Sequence, residues 1–73
     1  MKSFLVVYDR RSGDLEIREY ADDAEEQALR DRFERELAER GRSDVEVVLF
    51  YSDSIETLKK THSHYFWGST RVA

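Results

Sequence analysis

The fold is decided by residues 22–41, which read DDAEEQALRDRFERELAERG. Asp22 is a candidate helix N-cap, and Glu25 follows three residues later, the spacing of a capping box. Gly41 suits the position just past a helix end, because glycine adopts positive φ without strain. These signals predict a helix over residues 22–40.

The predicted helix has one apolar stripe, formed by Leu29, Phe33 and Leu37 at every fourth position. This spacing places the three side chains on one side of a helix. Since a small domain buries the apolar side of its helices, we expect the apolar stripe to lie on a sheet. The remaining surface alternates acids and bases at i, i+4, which is typical of a solvated outer side. A docking surface on that charged side is the alternative.

The chain has 73 residues, no cysteine and a net charge of −4. This length predicts a single domain, 1–73, with an ordered core over 3–67 and a flexible tail over 68–73. A core this small contributes little stability, so self-association is a common means of support. The lack of cysteine and of any long apolar run favours a cytoplasmic protein with no membrane segment. The acidic balance argues against nonspecific binding to duplex DNA or RNA.

Two segments before the helix predict a β-hairpin. Residues 3–9 are almost continuously apolar, which is typical of a central strand buried on both faces, and residues 15–20 alternate like a half-exposed strand. Pairing Asp9 with Asp14 sets the register of the hairpin. The surface assigned to the helix then consists of Phe4, Val6, Tyr8, Leu15 and Ile17.

Two more elements are predicted after the helix. Residues 45–51 alternate like a third strand, and Asp53 with Glu56 predicts a second helix that starts near Ser54 and ends near Trp67. Placing the first strand in the middle gives a three-stranded antiparallel sheet of order 2-1-3. The predicted fold is an α+β two-layer sandwich, β-β-α-β-α, with two helices. It resembles a truncated ferredoxin-like unit that lacks the fourth strand, an analogy of fold that implies no activity.

The second face of this sheet has no obvious cover. An apolar face rimmed by charge is typical of a protein interface, so the leading hypothesis is a non-enzymatic interaction or regulatory module. We expect it to form a homodimer, sheet to sheet or through edge strands, or to bind another protein. The alternative is that the second helix and the C-terminal aromatic residues fold under the sheet. The candidate interaction residues are Leu5, Val7, Val48, Phe50, Tyr65, Phe66 and Trp67.

Two other hypotheses concern the C-terminal segment. Lys59, Lys60 and Arg71 lie around the aromatic residues 65–67, and such a basic and aromatic segment can bind single-stranded nucleic acid. The second hypothesis is a metal site. On a helix, two residues spaced i, i+2 point about 200° apart, so a metal would have to be shared across a dimer. The candidate ligands are His62 and His64.

No motif in the sequence predicts an enzyme. There is no glycine-rich phosphate loop and no cysteine nucleophile, and the paired acids have no apolar surroundings that would raise a carboxyl pKa. We therefore expect neither catalysis nor a cofactor. The biological process is not indicated by any motif.

Overall fold

The computed structural model describes residues 1–62 and the backbone of residues 70–72. The elements, in chain order, are β1 (Lys2–Asp9), β2 (Leu15–Tyr20), a 3-10 turn (Asp22–Ala24), α1 (Glu25–Ala38), β3 (Val45–Ser52), α2 (Ile55–Thr61) and β4 (Thr70–Val72). The α+β class, the two helices and the three antiparallel strands in the order 2-1-3 are as predicted. In the part of the chain that is described, no helix is long and apolar enough to cross a membrane.

Strand β1 is the centre of the sheet. It pairs antiparallel with β2 on one side and with β3 on the other, and residues 3–7 are all buried. Val6 lies opposite Ile17 and Tyr8 lies opposite Leu15, so the predicted hairpin register is confirmed. The register was predictable because the short turn between Asp9 and Asp14 limits how the two strands can pair.

The sheet has a fourth strand, and the expectation of a unit without one is wrong. β4 pairs in parallel with the first half of β2, which gives the order β3-β1-β2-β4. Three residues are too few for a period-two pattern to stand out in a sequence. The ferredoxin-like assignment stays a prediction. So does the flexible tail, since residues 68, 69 and 73 lie outside the described residues.

The two helices lie on opposite faces of the sheet. Leu58 of α2 packs in the cluster that contains Phe4 and Ile17, whereas Ala28 of α1 packs with Leu5 and Tyr20. The expectation that α1 covers the Phe4 surface is therefore wrong. The strand order explains the difference, because the β2-α1-β3 and β3-α2-β4 crossovers run in opposite directions along the sheet. Crossovers of one hand that run in opposite directions place their helices on opposite faces.

The helix ends follow the predicted signals in part. Asp22 lies in the 3-10 turn and its side chain caps nothing, so α1 begins later than predicted, at Glu25. Gly41 has a φ of 88°, the left-handed conformation predicted after the helix. The cap of α2 is Ser54, whose hydroxyl accepts the backbone N–H of Thr57 at 3.2 Å.

Candidate interaction surface

Helix α1 contacts the sheet through its small and charged side. Ala28 is fully buried, while Ala24, Asp31 and Arg35 are half-buried on the same side. These positions follow the spacing of one helix side, and the two alanines allow the helix to approach the sheet closely. The side that faces the sheet is thus the opposite of the predicted one.

A short hydrogen bond between Tyr20 and Asp31 joins α1 to the sheet. The Tyr20 hydroxyl donates a hydrogen bond to Asp31 Oδ2 at 2.6 Å. Gln27 Nε2 donates to Asp31 Oδ1 at 2.7 Å, and the Arg18 guanidinium lies 3.5 Å from the same carboxylate. The Asp31 side chain is only 15% exposed. Water therefore has too little access to this carboxylate to replace all three partners.

Both groups have pKa values shifted by this contact. Burial, together with the hydrogen bond to the Asp31 carboxylate, raises the pKa of Tyr20 to about 12. The hydrogen bond donated by Tyr20 lowers the pKa of Asp31, an effect that outweighs the opposing loss of solvation. Each group therefore favours the protonation state in which a phenol donates to a carboxylate.

We expect Tyr20→Phe to lower the free energy of unfolding by about 1–2 kcal/mol near neutral pH, because the half-buried Asp31 carboxylate loses one of its three partners. A lowered pKa of Asp31 contributes stability above the usual carboxyl pKa of about 4, and this contribution is lost as pH falls. The raised pKa of Tyr20 contributes stability below about pH 10, and this contribution is lost as pH rises towards 12. The difference between wild type and variant should therefore be largest between these limits.

Urea unfolding at several pH values measures this difference, and carbon NMR titration of the Asp31 carboxyl follows its pKa directly. In Tyr20→Phe the pKa of Asp31 should rise towards the usual value. Tyr51→Phe is the matched control, because Tyr51 is 48% exposed and the same change should cost under about 0.5 kcal/mol. An unchanged Asp31 pKa in Tyr20→Phe would contradict the contact.

A small cavity of about 140 Å³ lies where the β1–β2 hairpin meets the C-terminal half of α1. Its two guanidinium groups are already paired with acids of the same cavity. Arg35 lies 3.2 Å from Glu16, and Arg42 lies 3.4 Å from Asp9 and 3.5 Å from Glu39. Ion pairs therefore line this cavity, and they connect the C-terminal end of α1 and the turn after it to the hairpin.

The apolar stripe points away from the sheet. Leu29 is 40% exposed, Phe33 is 63% exposed and Leu37 is 51% exposed. Around the helix, Phe33 and Leu37 lie about 140° and 180° from the fully buried Ala28, and Leu29 lies about 100° from it. The expectation that the apolar stripe covers the sheet is therefore wrong. Among the charged residues of α1, Asp31 and Arg35 are the half-buried ones.

The candidate interaction residues of the sheet do not share one face. Leu5 and Val7 are buried on the α1 face of the sheet. Val48 lies opposite Val6 and Phe50 lies opposite Phe4, so both belong to the α2 face and both are half-buried there. The grouping of these four residues is therefore wrong, because directly opposed residues of antiparallel strands point to the same side. Each face carries a helix, so an uncovered sheet face no longer supports an interface there.

The C-terminal candidates are only partly described. The His62 ring is half-buried, with its centroid 4.1 Å from that of the Phe50 ring. His64, Tyr65, Phe66 and Trp67 lie outside the described residues. Within residues 1–62 no group of three or more histidine, aspartate or glutamate side chains is arranged to hold a metal ion. The metal and nucleic-acid hypotheses stay predictions.

No protein-family model, no curated protein and no solved structure matches this chain.

Proposed function

We propose that this chain is a small, non-enzymatic interaction module that self-associates through the apolar stripe of α1. The observation that carries the proposal is the exposure of Leu29, Phe33 and Leu37 along the outer side of one helix. Contiguous apolar side chains on a surface mark sites of protein association, because covering them removes apolar area from water.

The partner that fits this surface is a second copy of the chain. An identical apolar stripe is a chemically matched cover, and pairing two helices adds a core layer to a domain too small to bury much of its own. Helix α1 has 14 residues and is therefore about 21 Å long. One helix side of this length buries less than a standard interface, so the association is concentration-dependent and of moderate strength.

The non-enzymatic part of the proposal is supported by the polar groups of the described residues. The cavity beside α1 contains Arg35 and Arg42, and each is engaged in ion pairs with carboxylates. Asp31 has its low pKa because of donors that fix the helix to the sheet. A general acid or base is tuned towards neutral pH, which is the opposite direction for a carboxyl group.

Sedimentation equilibrium of the wild-type chain tests the proposal, over total concentrations from about 1 μM to 1 mM. We expect the apparent mass to rise from that of the 8.7 kDa chain towards twice this value. A constant monomer mass over the whole range would contradict self-association. Far-UV circular dichroism at each end of the range checks that the fold stays the same.

A further inference from the structure

We propose that two copies of α1 pack antiparallel about a two-fold axis at Phe33, in a register set by charges beside the apolar stripe. This inference rests on the proposed self-association and specifies its geometry. It makes the surface selective for a second copy of this chain in one orientation.

The apolar stripe is symmetric about Phe33. In an antiparallel pair centred there, each residue lies opposite the residue that is equally far along the helix on the other side of Phe33. Leu29 of one copy then lies opposite Leu37 of the other, and the two Phe33 rings meet at the axis. Helices that pack with a crossing angle of about 20° stay in contact over several turns. The contact is therefore apolar along its length.

The charges beside the apolar stripe are complementary under the same symmetry. Glu26 of one copy lies opposite Arg40 of the other, and Arg30 lies opposite Glu36. Because of the two-fold axis each of these pairs occurs twice. All four side chains are exposed in the single chain. Each of these four charges thus meets the opposite sign, which is the condition for a self-complementary interface.

The positions of these charges on the helix agree with the proposed contact. At about 100° per residue, Glu26 lies within roughly 20° of Phe33, two turns towards the start of α1. Arg40 lies two residues past the end of α1, in the turn that leads to Gly41, and so stands near the other end of the contact. Arg30 and Glu36 lie roughly 60° to either side of Phe33, on the flanks of the apolar stripe. The first pair therefore closes the ends of the contact and the second pair lines its edges.

Most of these charges have no competing partner in the single chain. Within the described residues, Glu26, Arg30 and Arg40 make no ion pair, and Glu36 pairs only with the exposed Arg32 at 3.3 Å. An exposed pair of this kind contributes under about 1 kcal/mol, so it gives way or is shared at low cost.

A parallel arrangement of the helices is disfavoured by the same side chains. It would place Glu26 against Glu26 and Arg40 against Arg40, and like charges facing each other across an interface are destabilising. It would also align the two helix dipoles in the same direction, whereas the antiparallel pair opposes them. The charge pattern therefore selects one orientation by attraction and by repulsion.

Charge reversal tests the register. Glu26→Arg brings two guanidinium groups together at both ends of the contact, and Arg40→Glu brings two carboxylates together there. Each single variant should weaken the wild-type dimer by at least about fivefold at low ionic strength. The double variant restores both pairs and should recover wild-type association. A mixture of the two single variants should associate more tightly than either variant alone, because one end of the mixed pair joins two unchanged residues and the other joins two reversed ones.

Glu56→Arg and Lys60→Glu are matched controls. Both residues are exposed on α2, on the other face of the sheet, and the substitutions change the net charge of the chain by the same amounts. Glu56 lies in the first turn of its helix, as Glu26 does, so the cost at the helix terminus is also matched. Neither control should change the dissociation constant more than about twofold.

The results separate this inference from the proposed function. If neither single reversal changes the dissociation constant, or if the double variant does not restore it, the antiparallel register is overturned while self-association stands. A wild-type chain that stays monomeric overturns both. Weakening by the controls equal to that of the reversals also overturns the register, because it shows a general effect of net charge.

Discussion

Phe33→Glu is expected to weaken self-association by at least about a hundredfold. The substitution replaces the central side chain of the apolar stripe with a charge and brings two carboxylates together at the proposed two-fold axis. An unpaired charge covered by an apolar interface is costly, whereas the same carboxylate on a monomer is solvated. Since Phe33 is 63% exposed in the single chain, its replacement leaves the core of the domain intact.

Sedimentation equilibrium measures the loss of association, and thermal unfolding at low concentration checks the fold. Tyr51→Glu is the matched control, because it places the same charge at an exposed aromatic residue of β3. This control also tests association through the β3 edge, the mode in which edge strands pair between two copies. If Tyr51→Glu weakens the dimer and Phe33→Glu does not, the edge strand is the interface and the apolar stripe is not.

Phe4→Ala is expected to lower the free energy of unfolding by about 3–5 kcal/mol. Phe4 is fully buried at the centre of the sheet, in the cluster with Val6, Leu15, Ile17 and Leu58. Removing its ring leaves a cavity that β1 cannot close, since β1 is held by strands on both sides. A domain of this size has a total stability of a few to about 10 kcal/mol, so the variant loses a large part of its stability.

Phe33→Ala is the matched control for Phe4→Ala, because the residue types are the same and only the burial differs. The monomer should lose less than about 1 kcal/mol, measured by urea unfolding at a concentration below the dissociation constant of the dimer. Equal losses in the two variants would place Phe33 in the core, and an α1 with its apolar stripe facing solvent would then be wrong.

The β1–β2 hairpin was predictable from the sequence to the level of register. Side chains alternate strictly along a strand, so the apolar run of β1 required cover on both faces and Leu15 and Ile17 required the inner side of β2. Together with the short turn between Asp9 and Asp14, these constraints select one pairing of the hairpin, and the structure has that pairing. Short β4 was not predictable, because Thr70–Val72 offers too few positions for a pattern.

The orientation of α1 was not predictable from its own periodicity. The rule that a helix buries its largest apolar residues assumes an apolar face on the sheet below. Strand β2 presents Glu16, Arg18 and Tyr20 to α1, and this polar surface matches Asp31 and Arg35 instead. The signal was present in the alternation of β2, whose charged side needed partners of opposite sign.

The candidate sites were predictable only as residue types. Val48 and Phe50 were placed with Leu5 and Val7 because the register of β3 against β1 was not fixed by any turn. A one-residue change of register exchanges the two faces of a strand, so the predicted surface combined side chains from opposite sides of the sheet. The apolar stripe of α1 was recognised in the sequence, but it was predicted to face the sheet and it faces solvent.

The hydrogen bond from Tyr20 to Asp31 has a consequence for the helix as a whole, because together with the Arg35–Glu16 ion pair and the buried Ala28 it sets the rotation of α1 about its long axis. Without those contacts, turning α1 by half a revolution would bring the apolar stripe down onto Leu5 and Leu49. The apolar stripe would then be buried within its own molecule, and the chain would stay monomeric. We therefore expect Tyr20→Phe, and acid that protonates Asp31, to weaken the proposed self-association, because each removes a bond that holds this rotation.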